Sequence, residues 1–458
     1  MRDGDGVYGP QRQYRPRLIE RGRATLLLEI VHSLIVTADA VGDAPSWLDA
    51  PVHRAWVTAQ AMSLWSFFRA SMGPDGWWVE LDDDGRALPT GCPTSLAPRQ
   101  NLLTVARMTH SYALGELLGV PGCAAIVQSG LEALWQRHRD TVHGGYVEGL
   151  GRVGPDDGTK TLYGHAHVIL AASSALVAGH DDARALLADV LAVLDEHFWS
   201  EEDGAGSEAY DREWRELEAY RGANSNMHLC EALLAAAEAA ERPELVARAD
   251  RLVRRFAGGF APAHDWLLPE HYAPDWRVLL DYNAQRLDDP FRPYGATLGH
   301  SLEWARLALA VQLASGTSDA RLLEVSEALF GRAVALGWSD EVGGLPYTVN
   351  WDGTTANPDH YFWPVAEGIA TSSYLFRITG NPVYETWYRR FWEFAATHLI
   401  DHQRGGWFPL LDARNRRKVH PWYGKPDVYH SLQACLLPIM PMASSAAGAV
   451  RTGAQQRR

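Results

Sequence analysis

Lysine is almost missing from this chain: Lys160, Lys418 and Lys425 are the only three in 458 residues, so the basic side chains are nearly all arginine. Base is also in short supply overall, with 42 Lys and Arg against 56 Asp and Glu and a formal net charge of -14. Nucleic acid and anionic membrane surfaces both recruit clustered cations, and that balance argues against either as a partner. Cysteine is scarce too. Cys92, Cys123, Cys230 and Cys435 stand far apart with no CxxC pair, which excludes a disulfide framework and a cysteine zinc site and fits a reducing cytosol. Long apolar runs are absent: the best, Thr25 to Val36, is broken by Glu29 and His32, is too short to span a bilayer, and has no clear small-residue cleavage pattern after it. Several reactive signatures are missing as well. No GxxxxGK(S/T) loop and no GxGxxG opening a βαβ unit is present, so no nucleotide cofactor is expected. There is no HExxH, His165-Ala166-His167 lacks the spacing of a helical metal pair, and no GxSxG elbow occurs, so neither a metal nor a serine nucleophile is expected.

What is present is a repeat. A Gly turn followed by an aromatic or extended run returns at intervals of about 60 to 80 residues. Asp75-Gly76-Trp77-Trp78, Gly144-Gly145-Tyr146, Gly343-Gly344-Leu345 and Gly405-Gly406-Trp407 are the clear cases, with weaker ones near Gly204 and Asp265. Between them, Leu102–Leu118, Ala232–Ala240, Ser301–Leu313 and Glu367–Phe376 carry apolar residues at helical spacing. Strands are confined to Gly-bounded hairpins such as Leu345–Trp351 ending in Asp352-Gly353. Six units of two helices each, unable to bury both faces alone, predict an all-α fold: an (α/α)6 barrel with short β-hairpins on one rim and one central cleft. The competing arrangement is an open helical solenoid, whose repeats run shorter, at about 35 to 45 residues. Residues 46–442 are expected to form the barrel. Residues 1–45 read as a partly disordered extension, and 443–458, small and polar, as a flexible tail.

Candidate chemistry clusters at loop-to-helix junctions. His300 and Glu303, three apart, share a helix face just after the loop Pro293–Gly299, so the carboxylate could fix the imidazole tautomer; a helix-start histidine with a capping carboxylate is the bland alternative. Asn224 and His228 are four apart in a run with Arg221 and Asn226 and can face one cavity, although Asn224 could equally cap a helix. His430 stands in the otherwise apolar helix Val428–Leu437, behind a loop holding Lys425 and Asp427. Arg107 interrupts the apolar face of its helix, with His110 three residues on, and must pair or meet a polar ligand. A band of tryptophans (Trp304, Trp351, Trp363, Trp407, Trp422) suits stacking on sugar rings, though aromatics also fill barrel cores.

In chain order, Ala106–Tyr112, Lys160–Ala166, Tyr220–His228, Gly299–Trp304, Tyr347–Gly353 and Gly424–His430 resemble the N-acylglucosamine 2-epimerase superfamily, in particular its aldose–ketose isomerase branch. The resemblance spans roughly residues 46–440 and leaves the first 45 without a counterpart. It implies a cleft built from Arg107, Tyr163, Asn224, His228, His300, Glu303, Glu367 and His430, with Trp363 stacking on the sugar and Arg292 matching a further arginine. It implies a monosaccharide partner and no cofactor. The implied activity is interconversion of an aldose and its 2-ketose, mannose and fructose first among them, through a cis-enediol. His430 would shuttle the proton between C2 and C1, and His300, oriented by Glu303, would serve ring opening and the oxygens, with the reverse assignment of the two histidines left open. Alternatives are sugar 2-epimerisation, isomerisation of sulfoquinovose, a glycoside hydrolase using Asp352 and Glu367, and a non-catalytic sugar-binding protein. The oligomeric state, homo-oligomer included, is left open.

Overall fold

The structure is a computed structural model, and it describes residues 46–73, 75–88, 100–216, 218–419, 423–426 and 428–456. The extension 1–45 with its Thr25–Val36 run, and Cys92, Trp422 and Asp427, lie outside the described residues.

Among the described residues, twelve helices alternate between two layers. The odd-numbered ones are outer: α1 Pro51–Phe68, α3 Cys123–Glu132, α5 Ala183–Val193, α7 Glu244–Arg255, α9 Ala320–Gly337 and α11 Pro382–Phe394. The even-numbered ones are inner: α2 Leu102–Leu117, α4 Leu162–Ala178, α6 Ala223–Ala239, α8 Leu298–Ser315, α10 Phe362–Thr379 and α12 Tyr429–Leu436. Each inner helix packs on the next, and α12 returns to α2 and also packs on α1, so the ring closes by joining the last inner helix to the first outer one. The expected (α/α)6 barrel is therefore observed, and the open solenoid is not.

Burial separates the layers. α7 hides one stripe, Leu245, Ala249, Leu252 and Val253, whereas α2 is buried all round from Thr104 to Gly115. A helix surrounded on every side normally carries only apolar residues. The polar residues that break this rule, such as Arg107 and His300, mark where the inner helices face the central hollow.

The inner helices start at one rim, and local chemistry fixes where. Asn101 Oδ1 accepts from the Leu103 and Thr104 amides to cap α2, and Thr161 Oγ1 accepts from the Gly164 amide to cap α4. Left-handed glycines, Gly179, Gly316 and Gly380, terminate α4, α8 and α10 at the other end. Five of the inner helices are entered from two-residue strands: Gln100–Asn101, Lys160–Thr161, Arg221–Gly222, Ala296–Thr297 and His360–Tyr361. These pair antiparallel with strands from the following unit, as in Ala296 with Val349 and Tyr361 with Leu410. The hairpin turning at Asp352-Gly353 joins Thr348–Val349 to Thr355–Asn357 as expected.

Double-glycine corners recur ahead of these strands. Gly145 has φ of 70°, and a Cβ there would lie 2.6 Å from Trp214, so both backbone and space demand glycine. Two of the three lysines latch such corners. Lys160 Nζ lies 3.4 Å from Asp140 and donates to the Arg212 carbonyl, and Lys425 Nζ donates to Asp401 at 2.9 Å and to the Gly405 carbonyl. Lys425, noticed in the sequence for its place in a candidate motif, is thus a structural cation.

The C-terminal segment differs from expectation. Instead of a flexible tail, Ala446–Gln456 forms a helix, α13, that packs against α2, α4 and α6. Its small residues are the reason: Ala446, Ala447, Gly448, Ala449, Val450 and Gly453 are buried, and Arg451 and Ser445 bond Glu238. A polar-looking composition concealed a flat, close-packing face.

No helix among the described residues is long and apolar enough to cross a membrane.

Candidate active site

The rim where the inner helices begin opens into a cavity of about 410 Å³, a volume suited to a small polar ligand. His300, on the first turn of α8, and His430, on the first turn of α12, both line it. The two imidazoles flank one indole: Trp363 lies 4.9 Å from His300 and 5.8 Å from His430, centroid to centroid. Gly299 permits this packing, since a Cβ there would meet the Trp363 ring at 2.3 Å.

Each histidine is backed by a buried carboxylate. His300 Nδ1 donates to Glu270 Oε1 at 2.9 Å, and His430 Nδ1 donates to Glu367 Oε1 at 2.9 Å. A carboxylate on Nδ1 fixes the tautomer and assigns Nε2 to whatever occupies the cavity. Glu270 lies in the segment that pairs with the entry to α6, its carbonyl accepting from the Ala223 amide. Next to it, His271 is fixed between the Tyr220 hydroxyl and the Pro293 carbonyl. That lock ties the loop before α8 to the wall.

Beneath the cavity one buried guanidinium gathers three carboxylates. Arg306 Nε donates to Glu367 at 2.8 Å, and its Nη2 reaches Glu231 at 3.4 Å and Glu303 at 3.7 Å. Burial pushes the Glu367 carboxyl up, but the Arg306 charge and the His430 hydrogen bond overrule it and hold the group below its ordinary range. Glu303 goes the other way: burial and the neighbouring Glu367 charge raise it well above the carboxylate range, with Arg306 only partly opposing. The Tyr429 hydroxyl donates to Glu231, and the Tyr429 ring lies 4.7 Å from the Arg107 guanidinium.

The opposite wall carries Arg107, whose Nε donates to His167 Nε2 at 3.1 Å and whose Nη2 donates to the Tyr163 hydroxyl at 2.8 Å. His167 gives its Nδ1 proton to the Tyr163 carbonyl, which suits a neutral ring, and burial followed by the Arg107 charge lowers its basicity. His228, edge-on to Tyr163 at 4.9 Å, is lowered mainly by burial and then by the neighbouring His167. Its Nδ1, like Asn224 Oδ1, is buried with no hydrogen-bond partner among the described residues, in a side chain that lines the cavity. Nearer the mouth, Arg292 stacks 4.2 Å over Tyr220 and pairs with Glu218 at 2.6 Å. Glu148, bonded by the Thr161 hydroxyl, is pushed up to about 7 by burial.

Nine of the ten site residues predicted from sequence line this one cavity: Arg107, Tyr163, Asn224, His228, Arg292, His300, Glu303, Trp363 and His430. Glu367 does not line it; both its oxygens are taken by Arg306 and His430, so it is a support rather than a contact. A second correction concerns Glu303, expected to orient His300. Glu270 does that, because Glu303 turns inward, toward Arg306 and His228. Asp352 bonds Thr354 in an exposed turn away from the cavity, so it forms no carboxylate pair with Glu367. Among the described tryptophans of the band, only Trp363 lines the cavity; Trp304 stacks on Phe256 in the core, Trp407 packs on Trp392, and Trp351 bonds the Leu280 carbonyl. His110 is buried against Ser174. Sequence reasoning missed Glu270 and Arg306. The first could have been sought as a carboxylate beside a histidine at a strand, and the second as a charge on a fully buried helix.

Two side-chain groups, His228 with Glu231 and Glu303, and Glu303 with Glu367 and His430, bring ligand atoms within 4.8 Å of one another. Arg306 already supplies a positive charge there, with Glu231, Glu303 and Glu367 around it.

The family model for N-acylglucosamine 2-epimerase matches residues 76–434. The chain belongs to the N-acylglucosamine 2-epimerase family. Within that family it is 43% identical to a D-mannose isomerase of Thermobifida fusca, over 89% of this chain and 99% of that protein. It is 40% identical to a D-mannose isomerase of Pseudomonas cannabina pv. alisalensis, over 88% of this chain and 97% of that one. A crystal structure of D-mannose isomerase superposes with a TM-score of 0.78 at 30% identity, covering 84% of this chain and 97% of the other. The cellobiose 2-epimerase of Spirochaeta thermophila, at 20% identity and a TM-score of 0.73 over 84% of this chain and 95% of its own, shares the fold.

Proposed function

We propose that this family member is an aldose–ketose isomerase acting on a free monosaccharide, with D-mannose the substrate that its relatives' names favour and D-fructose its 2-ketose product. The observation that carries the reading is the pair of carboxylate-backed histidines facing one cavity across Trp363. Isomerisation needs a group that removes the C2 proton of the open-chain sugar and returns it to C1, and a second that moves a proton between O2 and O1. Imidazole suits both tasks because its ordinary pKa, about 6.5, lies near neutrality. His430 Nε2 takes the C2 proton while O1 gains one from His300, giving the cis-enediol. His300 then accepts the O2 proton as C2 becomes the carbonyl, and His430 delivers its proton to C1. No proton is gained or lost overall.

Arg107, Tyr163, Asn224 and His228 bind the hydroxyls, and Arg107 stabilises charge on the enediol oxygens as a preorganised donor. Trp363 offers its face to the apolar side of the sugar. Glu270 and Glu367 hold the two rings in their working tautomers.

The test is incubation of the full chain with D-mannose in heavy water, with NMR identification of the product and of the labelled carbon. Fructose, with any deuterium at C1, supports the isomerase. Glucose labelled at C2 would mean epimerisation instead, and turnover of sulfoquinovose but not mannose would move the substrate to an anionic sugar. Sugar binding with neither product nor exchange would leave a binding protein.

A further inference from the structure

Glu303 has no place in the proton relay just described, yet among the described residues it is a buried carboxyl with both oxygens unbonded. It is fully buried, lines the cavity, and neither carboxyl oxygen accepts a hydrogen bond from any of the described residues. Its nearest polar neighbours stop short of bonding: Arg306 Nη2 at 3.7 Å and His228 Nδ1 at 3.9 Å. Leaving an ionised carboxylate in that condition costs more than almost any other arrangement, and such a group ordinarily takes up a proton.

The surrounding charges show why the proton belongs to Glu303 rather than to a neighbour. From α6 come His228 and Glu231, from α8 His300 and Arg306, from α10 Glu367, from α12 Tyr429 and His430, and from α2 Arg107. Three of these groups, Glu231, Glu303 and Glu367, are carboxyls that share the Arg306 guanidinium. Glu367 has two strong donors, Arg306 Nε and His430 Nδ1. Glu231 has the Tyr429 hydroxyl, Arg306 and Gln433. Glu303 has none. Of three carboxylates around one cation, the undonated one is the cheapest to neutralise.

We propose that Glu303 is held as a neutral carboxylic acid and donates its O–H to an oxygen of the bound sugar, as a positioning and specificity group on the cavity floor. The role rests on the isomerase reading for its substrate but not for its protonation state. The proton stays on Glu303 through the reaction. A sugar lacking a hydroxyl at that position would leave the acid unpaired, which is how such sites reject near-analogues.

Two measurements test this. The first needs no turnover: infrared difference spectra of the full chain at neutral pH, wild type minus Glu303→Gln, contain the carbonyl stretch of a buried neutral carboxylic acid, which shifts in heavy water. The second uses Gln as a neutral donor. Glu303→Gln keeps mannose turnover within about tenfold of wild type, while Glu303→Ala, which removes the donor, loses on the order of a hundredfold. Wild type alone carries the alkaline fall in kcat/KM that reports ionisation of this acid. The proposal is overturned by the absence of the carboxylic-acid band, by Gln being as damaging as Ala in variants with native circular dichroism and melting temperature, or by a stability loss on chelation revealing a cation held at Glu303. If no aldose is turned over at all, the isomerase reading fails, and the infrared band alone still decides the state of Glu303.

Discussion

The two walls of the cavity hold the same pair of groups by different means. At His300 the partner is Glu270, delivered by a short strand segment whose own neighbours are backbone and His271. At His430 the partner is Glu367, placed one turn into a buried helix and anchored by Arg306, which also answers to Glu231 and Glu303. The hydrogen bonds have the same length, 2.9 Å. What differs is how much of the protein stands behind each. The His430 side belongs to a charged network in which removing Glu367 or Arg306 uncovers the other's buried charge, while the His300 side can be altered locally.

Breaking the comparison at its strong side gives the largest effect. His430→Asn is expected to lower kcat by about a thousandfold or more while far-UV circular dichroism stays native, because the C2 proton loses its acceptor. Glu367→Gln should follow, with a fall in kcat and also a loss of stability of about 3 to 5 kcal/mol in denaturant melts, since Arg306 is left without its best partner in a dry environment. That loss has a definite pH sense. Glu367 is held below its unfolded value, so its contribution is present above the ordinary glutamate pKa of about 4.3 and fades as pH falls through the lowered folded value. The stability gap between wild type and Glu367→Gln should therefore narrow in acid, and a gap that widened there would contradict the network. Glu270→Gln, on the weaker side, should lower kcat by about tenfold with little change in melting temperature, because the tautomer is disturbed but no buried cation is stranded. Equal stability losses for the two Gln variants would erase the distinction. The mildest effect is expected from Trp363→Phe, a rise in KM of several fold with kcat nearly kept, reflecting lost stacking area.

The same contrast explains what could be read in the chain. His300 and His430 were legible because each follows a loop and opens a helix, where a histidine faces a cavity or needs a partner. Their partners were not. Glu270 is 30 residues from His300 and Glu367 is 63 from His430, separations at which only the closed ring decides proximity. Glu303 shows the limit of a spacing rule: on a helix, residue 303 is as near to Arg306 as to His300, and in the closed ring it turns toward Arg306 and His228 while Glu270 takes His300. Of the tryptophan band, Trp363, the ring singled out for stacking, lines the cavity, and the other described members pack in or against the core, since a barrel needs bulky rings between its layers as well as at its cleft. The C-terminal helix was under-read because alanine and glycine show no moment until the surface that they close against is known.

By itself the sequence determined the repeat, the alternation of one-sided and fully buried helices, and the rim at which polar residues gather, all of which depend on local periodicity, caps and glycine turns. Only the tertiary structure decided which carboxylate serves which histidine, which tryptophan meets the cavity, and that one arginine must answer to three acids. Those outcomes depend on electrostatics in a dry interior, where a charge is governed by what the ring brings within a few ångströms and not by its neighbours along the chain.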